Sequence, residues 1–330
     1  MTTGLVLGKF APLHHGHQRL IETSLRETDH TIVLIYDCPD LDTPPLPVRA
    51  RWLQLLYPQV EVIEAWDGPI ETGLSPEITQ KHDAYLLRRV GHRGITHFFS
   101  SEAYGEHVSQ ALKCVDCRVD QARAAIPISA TQIRSAPFKY RHFLASCVYW
   151  DLVIKIVFLG APSTGKTTLA STLARDFQTE WMPEYGRQYW EQHQKERRLT
   201  REQLLQIAVE HRRREETLVH NANHFYFIDT DASSTLQFSY YYHGDAVPQL
   251  KELAAATRER YDLFFLCAPD IPYDNTWDRS GEANREQMHR RIISDLITRK
   301  VPFHMLTGPL AERCERVQQI LRSVSPQAFI

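Results

Sequence analysis

At 330 residues, with 43% hydrophobic and 24% charged side chains and a formal net charge of −2, the chain has the make-up of an ordinary globular protein of two domains. That balance excludes a global basic field for nucleic acid, and no run approaches the roughly 18 consecutive apolar residues of a membrane span. A strand-like run begins within three residues of Met1, which leaves no room for a signal peptide and points to the cytoplasm. Six cysteines over this length form no disulfide framework. Cys114 and Cys117 make one C-x-x-C without the second pair or nearby histidine of a zinc site, and read as two partly buried thiols.

The first apolar strand, 4–8, runs into Gly8-Lys9-Phe10-Ala-Pro-Leu-His14-His15-Gly16-His17 and a helix over 18–25. H-x-G-H puts two imidazoles around a glycine at a helix start, where exposed N–H groups draw a triphosphate. A strand over 31–36, a proline-rich surface loop over 39–47, a helix over 48–56 and strands over 60–63 and 96–100 follow. This alternation is that of a parallel α/β sheet. Ile128-Ser129-Ala-Thr131-Gln-Ile-Arg134 then offers hydroxyls and an arginine at a second helix opening, with Ser129 able to cap it. A short stretch near 146–151, without a Gly/Ser linker, divides the chain into domains 1–148 and 149–330.

The second domain begins with a strand over 154–159 and Gly160-Ala-Pro-Ser163-Thr164-Gly165-Lys166-Thr167, a complete G-x-x-x-x-G-K-[ST] followed by an amphipathic helix over 169–177. The glycines let N–H groups turn inward around phosphate oxygens, and Lys166 neutralises the β- and γ-phosphates. The Thr167 hydroxyl coordinates Mg²⁺, and Ser163, Thr164 and Thr168 complete the ATP cradle. Phosphoryl transfer also needs a second acid at the metal, a group for the acceptor hydroxyl, and arginines over the moving phosphoryl. Asp229 follows a strand over 225–228 and takes the metal role. Asp231 points the same way if the chain stays extended. Glu184, in Pro183-Glu184-Tyr185-Gly186-Arg187, is the candidate to orient the acceptor hydroxyl. Arg279 and Arg285 fall in a polar, Gly-containing loop after a strand over 263–267, where a lid over ATP would close. A long charged helix within 187–220 presents Arg212, Arg213 and Arg214 on a solvated face, and helices over 249–258, 285–299 and from 310 complete the pattern.

The segments around His14 and Ser129 together resemble the signature pair of the HxGH nucleotidylyltransferase superfamily. Both halves together resemble the bifunctional nicotinamide-mononucleotide adenylyltransferase/ribosylnicotinamide kinase family, the NadR type, over nearly the whole chain. The carrying elements are G-K-F-x-P-L-H-x-G-H, Ser101-Glu102-x-Tyr104-Gly105, I-S-A-T-Q-I-R with Pro137-Phe138, the P-loop, Glu184-Tyr185-Gly186-Arg187-x-Tyr189 and Ile228-Asp229-Thr230-Asp231. The resemblance implies a Rossmann-like nucleotidylyltransferase sheet followed by a P-loop kinase sheet, with ATP as co-substrate at both sites and Mg²⁺ as cofactor. The kinase half would phosphorylate the 5′-hydroxyl of nicotinamide riboside. The transferase half would then join the mononucleotide (NMN) to AMP, giving NAD and pyrophosphate without a covalent enzyme intermediate.

In that reading His14 and His17 contact the triphosphate, and Gly8, Lys9, Phe10, Gly16, Ser129, Thr131 and Arg134 bind the same ATP. Glu184, Tyr185, Arg187 and Asp231 hold the riboside, and Tyr273 or Trp277 stacks on its ring. Some members begin with a helix-turn-helix repressor segment; here the catalytic strand comes first, so a regulator is not expected. Where the family shows P-W-x-x-D-x-x-R in the lid, Pro272 and Arg279 are kept but Tyr273 and Thr276 stand at the second and fifth positions. The expected partners are small molecules, with no nucleic acid or membrane insertion, and a homo-oligomer stays open. The alternatives are a phosphopantetheine adenylyltransferase/dephospho-coenzyme A kinase fusion and a nucleotide-sensing regulator with decayed chemistry.

Overall fold

Strands covered on both faces appear in sequence as unbroken apolar runs, and residues 4–8 and 154–159 are two such runs. In the computed structural model each becomes the middle strand of its own parallel sheet. The structure describes all residues except 72, 74, 103, 104, 197, 274–281 and 327–330, and the side chains of 282 and 283. The chain divides into two compact units, Met1–Leu152 and Val153–Ile330. No described helix is long and apolar enough to cross a membrane.

The first unit runs β1 (Thr3–Gly8), α1 (His15–Glu27), β2 (His30–Tyr36), α2 (Leu46–Leu56), β3 (Glu61–Ala65), α3 (Pro76–Val90), β4 (His97–Ser100), α4 (Gly105–Leu112) and β5 (Val115–Arg118). Three short helices follow, α5 (Ala130–Ser135), α6 (Pro137–Tyr140) and α7 (Ser146–Trp150). The strand order is β3-β2-β1-β4-β5. Connections leave β1 toward opposite edges of the sheet, which opens a crevice beyond the carboxyl ends of β1 and β4. Leu5, Leu7, Ile32, Leu34, Leu86 and Phe98 fill one face.

Two residues of α2 fix the site end of this unit. Arg49, 1% exposed, donates to the carbonyls of Lys9, Tyr36 (3.0 Å) and Pro44 (2.9 Å), with Asp37 at 3.3 Å as counter-charge. One guanidinium thereby pins the turn after β1 to the end of β2. Trp52, fully buried, sends its indole N–H to Asp151 at 2.7 Å, where Arg51 also lands at 2.8 Å. Residues 146–150 are thus the helix α7 held against α2.

The second unit runs β6 (Ile154–Leu159), α8 (Lys166–Asp176), β7 (Trp181–Met182), α9 (Tyr185–His193), α10 (Arg201–Leu218), β8 (Phe225–Asp229), α11 (Ala232–His243), α12 (Pro248–Ala255), α13 (Thr257–Arg260), β9 (Leu263–Cys267), α14 (Glu282–Thr298), β10 (His304–Leu306) and α15 (Leu310–Val324). The order β10-β9-β6-β8-β7 again puts the loop-bearing strand in the middle. Phe158 lies between Phe227 and Phe265 of its neighbours, ring centroids 6.1 and 5.7 Å away. Such offset pairs add to their area burial. A second apolar cluster, with Trp190, Leu204, Ile207, Leu236 and Leu250, joins α9, α10, α11 and α12.

The long charged helix expected within 187–220 is α10, opened by Thr200 and Gln203 in a capping box, with α9 as a separate helix before it. Two expectations change. Arg285 lies inside α14 rather than in a loop. Helix α11, absent from the sequence reading, starts at the cap Asp231.

Two candidate nucleotide sites

In the first unit His14 is the N-cap of α1. Its Nδ1 accepts from the Gly16 N–H at 3.1 Å, and its own N–H reaches His17 Nδ1 at 3.4 Å. The capping box usually built from a hydroxyl and a carboxamide is built here from two imidazoles. Their rings stack with centroids 3.8 Å apart, and Phe10 meets His17 edge-on at 5.0 Å. A neutral His14 ring that accepts at Nδ1 carries its proton on Nε2, which fixes the tautomer. Burial, with Arg123 and His15 nearby, brings His14 down to about 4 from an ordinary 6.5. Burial, then His14 and Arg123, hold His17 well below its ordinary value as well. Both rings are uncharged near neutral pH.

Gly16 is required by this pair. A Cβ there would lie 2.9 Å from the His14 ring, so the close approach is to the histidine itself. Phe10 is 1% exposed with φ 47°, and its ring lies under Gly8, so it offers a ligand backbone rather than side chain. Lys9 is half-buried at the same turn. Ser129 caps α5 and shares a capping box with Gln132. Arg134 donates to the Ala11 carbonyl and to Thr131 Oγ1 at 3.1 Å, which joins the second motif to the loop after β1. Arg123, in the irregular segment before α5, is a cation the sequence reading missed. No element or spacing marked it. Cys114 and Cys117 are free half-buried thiols, and burial pushes Cys114 up to about 11. Among the described residues no group of three His, Cys, Asp or Glu could hold a metal.

In the second unit the loop 160–167 takes the left-handed backbone its sequence allows, with φ 149° at Gly160, 61° at Ser163 and 79° at Gly165. At Gly160 a Cβ would lie 2.7 Å from Thr164 Oγ1 and 2.9 Å from the Cys267 carbonyl. Thr164 is turned inward, its hydroxyl donating to Ala161 O at 2.8 Å. Lys166 lies over the loop, its ammonium 3.1 Å from the same carbonyl. Thr167 Oγ1 donates to Asp229 Oδ2 at 2.5 Å. Asp229 is fully buried, and its Oδ1 has no hydrogen-bond partner among the described residues. Burial first, and then Glu184, raise it to about 6 against the pull of Lys166.

Thr230 takes φ 68°, so the chain does not stay extended after β8 and Asp231 does not join Asp229. Instead Asp231 caps α11, its Oδ1 accepting from Ser233 N–H at 2.9 Å and Ser234 N–H at 3.1 Å. Its Oδ2 is buried without a partner among the described residues. A cavity of about 500 Å³ opens from the P-loop between α9, α10 and α11; Thr168, Glu184, Arg187 and Asp231 line it. Tyr185, expected at the acceptor, is turned away, with the Arg214 guanidinium 3.9 Å above its ring. Arg213 and Arg214 also pair with Glu210 at 2.7 and 2.9 Å, so this face of α10 is salt-bridged as expected, with Arg214 over a ring besides.

Two buried arginines hold the P-loop from behind. Arg285 of α14, expected over ATP, donates to Ser163 O (3.2 Å) and Ile271 O (2.8 Å), with Tyr273 beside it at 5.8 Å. Arg313 of α15 donates to Thr164 O (2.7 Å), Gly308 O (2.8 Å) and Ala268 O (3.2 Å), and pairs with Asp270. The sequence reading missed Arg313, an arginine within a final amphipathic helix. His211 of α10 also lines the cavity, 3.2 Å from Glu215, which Arg260 and Tyr261 hold at 2.8 and 2.7 Å. Tyr104, Trp277 and Arg279 lie outside the described residues.

Comparison with known proteins follows the same division. A cytidylyltransferase-like family model matches residues 5–136, and an AAA domain model matches residues 155–313. The trifunctional NAD biosynthesis/regulator protein NadR of Escherichia coli K12 is 29% identical over 324 residues, covering 92% of this chain and 78% of that protein. Its counterpart from Salmonella typhimurium LT2 is 28% identical over 322 residues, covering 91% and 77%. The chain is thus similar to NadR over about nine-tenths of its length. Crystal structures of NadR in complex with NAD and AMP-PNP, and in complex with NR, share the fold across 97% of the chain and 95% of theirs. Their TM-scores are 0.57 and 0.59 at 21% identity. The NadR-type architecture, a Rossmann-like sheet followed by a P-loop sheet, is therefore present here from end to end.

Proposed function

We propose that this chain makes NAD in two consecutive ATP-dependent steps: the second unit phosphorylates nicotinamide riboside, and the first adenylylates the resulting mononucleotide. The observation that carries this is the NadR similarity over nine-tenths of the chain, supported by the imidazole-capped helix start in one unit and the P-loop hydroxyl on Asp229 in the other.

In the kinase unit the P-loop N–H groups and Lys166 hold the triphosphate, with Gly160, Ser163, Gly165, Thr167 and Thr168 around it. Glu184 accepts from the 5′-hydroxyl and holds that oxygen in line with the γ-phosphorus. The partnerless Asp231 Oδ2 accepts from a ribose hydroxyl, and Arg187 closes the mouth. Thr167 Oγ1 and the orphaned Asp229 Oδ1 form a hard oxygen set that fits Mg²⁺. Bound there, the ion would supply positive charge to the β- and γ-phosphates.

In the transferase unit a phosphate oxygen of the mononucleotide bonds to the α-phosphorus of ATP, the bond to the β-phosphate oxygen breaks, and pyrophosphate leaves. His14 and His17 act as uncharged donors at the triphosphate, and Lys9, Arg123, Thr131, Ser129 and Arg134 offset its charge. Catalysis there is positioning plus electrostatic stabilisation. The test is purified protein with Mg²⁺, ATP and nicotinamide riboside, products separated over time. Mononucleotide should appear first and NAD after it. Turnover of phosphopantetheine but not of the mononucleotide would overturn the assignment.

A further inference from the structure

The cavity beside the P-loop is lined along α11 by Asp231, Ser234, Thr235, Phe238 and Tyr242. Steps of three and four residues keep these side chains on one face of the helix. The face is graded: a buried carboxylate at the cap, two hydroxyls one turn on, then two aromatic rings in the next turns. Asp231 Oδ2 is a polar atom without a partner among the described residues, on a residue 2% exposed in the wall of the cavity. From Asp231 to Phe238 the helix rises about 10 Å, close to the length of a nucleoside from ribose to base. Phe238 and Tyr242 are half-buried, ring centroids 6.0 Å apart at 33°, and Trp190 of α9 lines the same cavity.

We infer that the face of α11 reads the acceptor nucleoside, its planar base lying against Phe238 and Tyr242 while its ribose meets Asp231. This rests on the riboside-kinase reading and deepens it. It moves ring recognition from the segment after β9, where the sequence placed it on Tyr273 or Trp277, to a helix the sequence did not reveal. Tyr273 packs beside Arg285 and is not among the residues lining the cavity. An aromatic wall offers a flat base a stacking surface that aliphatic side chains of equal volume lack.

The test compares the wild-type chain with Phe238→Leu and Asp231→Asn in the phosphorylation step, varying riboside and ATP separately. Phe238→Leu keeps an apolar side chain of similar bulk, and asparagine still caps a helix, so both variants keep the fold. Phe238→Leu should raise the riboside KM roughly tenfold with the ATP KM unchanged. Wild type should discriminate against 2′- and 3′-deoxy acceptors, and Asp231→Asn should lose most of that discrimination. A silent Phe238→Leu alongside a Tyr273→Leu that raises the riboside KM would overturn the inference. Should wild type phosphorylate another nucleoside but not nicotinamide riboside, the functional reading fails while the same variants still test the α11 face on that nucleoside. Phosphorylation of no nucleoside overturns both.

Discussion

His14 does two jobs with one ring: Nδ1 caps a helix and Nε2–H is left for a ligand. The cap needs an uncharged Nδ1, so protonation and capping compete. The pKa is lowered in the folded state, to about 4 from 6.5, so the unfolded chain binds the proton more tightly. Stability is then fully present above pH 6.5 and is lost as pH falls through the window down to about 4, by up to ~3 kcal/mol from this residue. His14→Asn keeps a capping side chain but does not titrate. It should flatten that acid loss, read by hydrogen-exchange protection of the β1 amides between pH 7 and 4.5, and lower adenylyl transfer by orders of magnitude. An unchanged pH slope would contradict the cap geometry. At this scale the sequence singled out the residues of H-x-G-H but not what they do to one another. Asp231 was legible as a candidate and does line the cavity, but its direction hung on the φ of Thr230, which no spacing reports.

At the scale of elements, the strands and the P-loop helix were legible because buried parallel strands are continuous apolar runs and the loop has a fixed spacing. Helix α11 was not. Ser233, Ser234 and Thr235 compete for backbone bonds and Tyr240, Tyr241 and Tyr242 favour strands, so local propensity argues against a helix that Asp231 and the packing of Leu236 impose. Arg313 of α15 was equally hidden, and Arg285 of α14 was singled out for ATP rather than for the loop carbonyls it holds, since a buried guanidinium and a surface one look alike in sequence. Their grip on the Ser163 and Thr164 carbonyls makes the P-loop shape depend on elements more than a hundred residues away. Arg313→Lys keeps the charge but loses the fork that spans three carbonyls and Asp270. It should raise the ATP KM of the phosphorylation step about tenfold, with stability lower by on the order of 2–4 kcal/mol. Adenylyl transfer measured on the same preparation should keep its ATP KM; a parallel rise there would show a general loss of folding.

For the whole molecule, each unit holds a candidate nucleotide site of its own, with Lys166 and Asp229 in one and His14 and His17 in the other. The order of chemistry runs against the order of the chain, kinase first although it comes second. The most direct measurement is a time course from nicotinamide riboside and ATP with Mg²⁺, run for wild type, Lys166→Ala and His17→Ala, with mononucleotide and NAD separated. Lys166→Ala should make neither product from riboside yet convert supplied mononucleotide to NAD at the wild-type rate. His17→Ala should accumulate mononucleotide and stop there. NAD formed from riboside by Lys166→Ala would contradict the division of labour.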